Sequence, residues 1–150
     1  MPWLVIAVIT WIILLLSLRG IQIRRLWTAG FFSLLLVGSV SYIGVNLGLI
    51  RFNNALYSLN GIPVFFLLAA IAVGMLVVRF LPESKGWQLL YILLISIISV
   101  IIDFYFTEKN FLVYENWQIG YSFLVYFFVL TTTVWLSDIT VKRRRGYLFN

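Results

Sequence analysis

Five stretches of this chain are apolar for long enough to cross a bilayer, and a charged or polar step follows each of them. A helix needs roughly 20 mainly apolar residues, about 17–25, to span a hydrocarbon layer ~30 Å thick. The first stretch runs from Pro2 to Leu18 and stops at Arg19. The second runs from Leu26 to Ile50 and stops at Arg51, and the third from Ile62 to Val78, stopping at Arg79. The fourth covers Gln88 to Phe106 and the fifth Ile119 to Leu136. The connections are short, no repeat is visible, and nothing between the stretches is long enough to bury a core of its own. The pattern predicts an all-α integral membrane protein, a single transmembrane domain over residues 1–150 built as a bundle of five helices.

Composition strengthens that reading. Hydrophobic residues make up 63% of the 150 positions and charged residues 11%, against ~45–50% and ~25% in a typical soluble domain. Too little polar surface is present to cover a water-soluble globule. His and Cys are both absent, which excludes disulfides, thiol nucleophiles, Cys/His zinc sites, His-ligated haem and imidazole triads. No cofactor and no metal site is expected.

The cations decide the weakest stretch and the orientation. Pro63, Gly74 and minimal length weaken the third helix. Lys and Arg in short loops favour the cytoplasmic side. Five spans with the N-terminus outside put Arg19, Arg24, Arg25, Arg79, Lys85 and Lys142, Arg143, Arg144, Arg145 inside, leaving Arg51 and Lys109 outside. Omitting the third helix reverses the bias, so N-out and C-in with five spans is the expectation. Tryptophans favour the interfaces: Trp3 and Trp117 fall at the outer boundary, Trp27, Trp87 and Trp135 at the inner one. The first helix has no basic residue before it and no small-residue cleavage pattern after it, so it reads as a retained span. The net charge of +6 is what orientation demands and does not point to nucleic acid. The Lys142–Arg145 cluster is a candidate contact for anionic lipid, at roughly 1 kcal/mol per basic residue.

Among candidate functional residues, Asp103 stands out. It falls ~21 Å into the layer at ~1.5 Å per residue from an inner boundary near Leu89. An Asp at a helix centre costs ~2.5–3.5 kcal/mol, less towards the edge. It shares a helical face with Ser96, Ser99 and Thr107. Arg51, at similar depth, is the candidate partner, with Asn46 just inside it. One expectation is a polar ligand pocket of Asn46, Arg51, Ser96, Ser99 and Asp103; the competing one is a structural ion pair or a snorkelling carboxylate. Small residues at Gly44 and Gly48, and at Ala70 and Gly74, mark expected helix contacts. The run from Thr107 to Gln118, rich in aromatics and carrying Glu108 and Glu115, is expected to lie along the interface.

The sequence Asn116-Trp117-Gln118-Ile119-Gly120-Tyr121-Ser122, opening a last aromatic helix with Tyr126, resembles a family of small five-span membrane proteins of endospore-forming bacteria. "GVNLGLIRF" from Gly44 to Phe52, and an acid near the end of the preceding helix, here Asp103, fit the same resemblance. It implies a bacterial cytoplasmic-membrane location and carries over no activity. The leading functional expectation is a non-enzymatic accessory or sensory protein acting through helix contacts with lipid or a membrane-protein partner. The alternative is a small-solute, ion or lipid carrier using the polar stripe around Asp103. An enzyme acting on a lipid head group through Asp103 or Glu108 with Arg51 ranks last.

Overall fold

The computed structural model of the protein describes residues 2–17 and 23–146. Arg19 lies outside the described residues, as do the side chains of Arg24, Arg25 and Lys142–Arg145, and with them the anionic-lipid contact expected there. Among the described residues there are five helices: α1 (Pro2–Ser17), α2 (Ile23–Asn46), α3 (Val64–Arg79), α4 (Lys85–Glu108) and α5 (Ile119–Gly146). Four short strands accompany them: β1 (Ile50–Phe52), β2 (Ser58–Leu59), β3 (Ile62–Pro63) and β4 (Leu112–Tyr114). Three helical segments, Leu26–Asn46, Lys85–Glu108 and Ile119–Thr140, are long and apolar enough to cross a membrane; α1 and α3 are apolar but only 16 residues each.

Several helix hydroxyls are satisfied by their own backbone, the arrangement a polar side chain needs where no water reaches, although the Ser137 hydroxyl is buried without a partner among the described residues. Thr10, Ser96, Ser99, Thr107, Thr131 and Thr133 each donate to the carbonyl four residues earlier, at 2.7–2.9 Å. Ser33 instead reaches across to the Ala70 carbonyl at 2.8 Å, joining α2 to α3. A Cβ on Gly74 would collide with Ser33, and one on Gly30 would meet Met75 at 2.8 Å. Small residues therefore let these two helices approach closely, as expected for Ala70 and Gly74.

The other glycine pair behaves differently. α2 stops at Asn46, not near Ile50, because Gly48 turns left-handed at φ +64°. Gly48 N–H donates to Val45 and Leu49 N–H to Gly44, the paired bonds of a Schellman turn. α4 ends in the same way: Asn110 takes φ +56°, its N–H donates to Thr107, and Phe111 N–H donates to Phe106. The rings of Phe106 and Phe111 pack edge-on at 5.8 Å, the apolar contact that accompanies such turns. Each turn delivers the chain into a three-residue strand, and β1 and β4 pair antiparallel in the register Ile50↔Tyr114, Arg51↔Val113, Phe52↔Leu112. The run from Thr107 to Gln118 thus holds the end of α4 and, in β4, one strand of a β-ribbon across one end of the bundle. Asn60 and Gly61, both at positive φ, close the β2–β3 hairpin, the two-residue turn such a pair favours. α3 accordingly begins after Pro63.

In the bundle α3 lies between α1 and α2, and α5 between α2 and α4. α1 and α4 are the flanks of this series. They meet at the ribbon end, where Trp3 packs edge-on against Phe106 at 5.1 Å. Trp3 is 4% exposed and donates its indole N–H to the Asn53 carbonyl at 2.9 Å, so it is a core residue of the ribbon end and not an interface anchor. Trp27, Trp87 and Trp135 are exposed.

Candidate functional site

α5 turns a narrow polar face inward. Ser122, Tyr126, Val129, Thr133 and Ser137 recur at steps of three and four, the spacing that aligns residues on one helix face. Asp103 on α4 meets the upper part of that face. Tyr126 donates to both carboxylate oxygens of Asp103, at 2.9 and 2.8 Å. Tyr114, delivered by β4, donates to Oδ2 at 2.9 Å. Ser122 lies 2.9 Å from the Tyr114 hydroxyl and accepts from the Trp117 indole at 2.9 Å.

The direction of this network follows from its ends. An indole N–H only donates, and an ionised carboxylate only accepts. Trp117 therefore donates to Ser122, Ser122 to Tyr114, and Tyr114 to Asp103, with Tyr126 converging from the other side. Burial first, and then the negative charge of Asp103, push the Tyr114 phenol well above its ordinary range. It stays a proton-bearing donor at any physiological pH.

The expected partner of Asp103 is corrected here. Arg51 does not reach it; its guanidinium pairs with Glu115 at 3.2 Å, with both side chains well exposed. The reason is the alternation of side chains along a strand. Tyr114 points from β4 to the buried carboxylate, so its register partner Ile50 shares that face, and Arg51 opposite Val113 lies on the other. Asn46, at the end of α2, is exposed. Ser96 is fully buried and Ser99 partly so, but both hydroxyls are spent on their own helix. Of the five residues expected in one pocket, only Ser99 and Asp103 line a common cavity. Among the described residues no cation stands beside Asp103, whose partners are the two tyrosines.

Two cavities meet at Asp103. The larger, about 370 Å³, is an apolar cleft bounded by Ile6, Ile9 and Ile13 of α1 and by Ser99, Ile102 and Phe106 of α4, with α3 and α5 behind. Ile9, Ile13 and Ile102 are each close to half exposed, so the cleft opens sideways between the two flanking helices. The smaller, about 70 Å³, lies under the ribbon. Trp3, Phe66, Asp103 and Tyr126 belong to the walls of both. The arrangement is an apolar slot facing sideways, ending at a buried carboxylate under an aromatic roof.

Tyr114, Tyr126, Ser122 and Trp117 were missing from the residues expected at the site. The i, i+4 spacing of Ser122 and Tyr126 was a usable signal, since it places two hydroxyls on one face of the last helix. Comparison with protein-family models, curated proteins and solved structures gave no match, so chemistry and geometry carry the functional reading.

Proposed function

We propose that the protein is a five-span membrane protein, N-terminus outside and C-terminus cytoplasmic, that holds a lipid-like amphiphile in the cleft between α1 and α4. Its role is non-enzymatic, that of an accessory or sensory protein of a bacterial cytoplasmic membrane which responds to the molecule it holds. The cleft is the observation that carries this reading. Its volume of about 370 Å³ falls in the range of ~300–1,000 Å³ typical of small-molecule sites. From Ile6 to Ile13 it runs ~10 Å along α1 at ~1.5 Å per residue, room for a stretch of hydrocarbon chain. A slot that opens to the side admits a molecule already dissolved in the bilayer.

Five spans are supported by the sign of the loops, since nine of the eleven cations fall on one side in that topology. At ~1.5 Å per residue, the 16 residues of α1 and of α3 reach only ~24 Å. Such a shortfall costs fractions of a kcal/mol per Å and is met by local thinning. The two short helices pack side by side, so the thinning falls beside the cleft. The cytoplasmic-membrane location rests on the resemblance at Asn116–Ser122.

The test is native mass spectrometry of the protein extracted in mild detergent. A retained amphiphile should appear as a discrete added mass. Ile9→Trp and Ile102→Trp, at the half-exposed mouth, should each remove it without unfolding the bundle. An unliganded spectrum for the wild type, or an adduct indifferent to both substitutions, would overturn the reading.

A further inference from the structure

We infer that the smaller cavity is a cage for the ammonium end of a long-chain amine, whose hydrocarbon chain occupies the cleft. This deepens the lipid-binding reading and rests on it. The walls are aromatic to an unusual degree: Trp3, Phe52, Phe66, Tyr114, Trp117 and Tyr126 all contribute. Trp3, Phe52 and Phe66 form a mutually packed trio with centroids 5.2–5.7 Å apart. Ring faces attract cations, most strongly where water is excluded, and aromatic cages are a known way to hold alkylated ammonium groups.

Asp103 supplies the one carboxyl in the wall. Its Oδ1 accepts from Tyr126 alone, while Oδ2 accepts from both tyrosines. A carboxylate offers about four acceptor sites, so Oδ1 retains capacity towards an incoming N–H. No described cation neutralises it. A buried acid among aromatic side chains, with no described lysine or arginine beside it, attracts a cation and repels phosphate, sulfate or carboxylate.

Size and a second polar group agree. One water needs roughly 10–15 Å³, so about 70 Å³ accepts a group of a few heavy atoms and excludes a sugar or a phosphodiester head. Ser41 of α2 also lines the cavity at 5% exposure, and among the described residues its hydroxyl has no hydrogen-bond partner. An alkylammonium N–H entering the cage would satisfy it.

The experiment uses the full chain in maltoside micelles, with dodecylamine, dodecyltrimethylammonium, dodecanol and dodecanoate as probes, their binding measured by native mass spectrometry and thermal shift. Protonated dodecylamine should bind at least about tenfold tighter than dodecanol, a preference worth ~1.4 kcal/mol, dodecyltrimethylammonium, which brings the charge but no N–H, less tightly than dodecylamine, and dodecanoate weakest of all. Asp103→Asn should abolish the preference and leave dodecanol binding intact. Ser41→Leu, which fills the cage and keeps Asp103 and its donors, should do the same, so the outcome does not hang on one variant's folding. Equal binding of all four head groups, or a preference that survives both substitutions, would overturn the ammonium cage while leaving the lipid cleft standing. Failure of dodecanol and the ammonium probes alike, with Ile9→Trp also without effect, would overturn the cleft itself.

Discussion

Replacing Tyr126 by Phe removes one hydroxyl and nothing else, yet that hydroxyl contacts both oxygens of Asp103, at 2.9 and 2.8 Å. Two magnitudes bracket the expected effect. Neutral hydrogen bonds between membrane helices couple by only ~0.6 kcal/mol on average. A bond to a charged group is worth ~1.5–3 kcal/mol, and stranding the charge without its donor adds to the loss. Because Tyr126 is one of only two side chains among the described residues that bond the Asp103 carboxylate, the larger figure applies. Tyr126→Phe, Asp103→Asn and the double variant would be unfolded reversibly in mixed micelles of rising dodecyl sulfate fraction, followed by tryptophan fluorescence. The coupling between the two sites should be ~1.5–3 kcal/mol. Effects that add within ~0.5 kcal/mol, as for independent positions, would refute the picture of a carboxylate held by converging phenols.

The remaining expectations concern the ribbon and the helix contacts. Arg51→Gln and Glu115→Gln should couple by only ~0.2–1 kcal/mol, since the pair is exposed, and the coupling should shrink in high salt; Arg51→Gln combined with Asp103→Asn should be additive in the same unfolding assay. Gly74→Ala should destabilise by ~1–3 kcal/mol through overpacking against Ser33 and Ala29. By contrast, Gly48→Ala, with open space around its Cβ, should cost only the ~1–2 kcal/mol of a left-handed backbone.

The helices were legible because an apolar run of about 17–25 residues is a strong signal of a helix long enough to span a bilayer. The end of α2 was not, because Leu47, Leu49 and Ile50 continue the apolar run past the turn. Gly48 and Asn110 held the missing information, each standing where a left-handed residue closes a helix. Asp103 was legible as an acid where orientation does not require one. Its partners were hidden because their arrival depends on β1 pairing with β4, two three-residue strands far apart in sequence. Strand alternation then selected Tyr114 and turned Arg51 away, a distinction of one residue that helix depth cannot resolve.

Tyr114 belongs at once to the β1–β4 ladder, paired with Ile50, and to the buried polar cluster at Asp103. If a molecule held at Asp103, as proposed, steadies the β1–β4 ribbon, then whatever tightens that pairing strengthens the hold on it by the same factor, by thermodynamic reciprocity. Through that single phenol, the state of the ribbon and the proposed occupant of the cleft would report on each other.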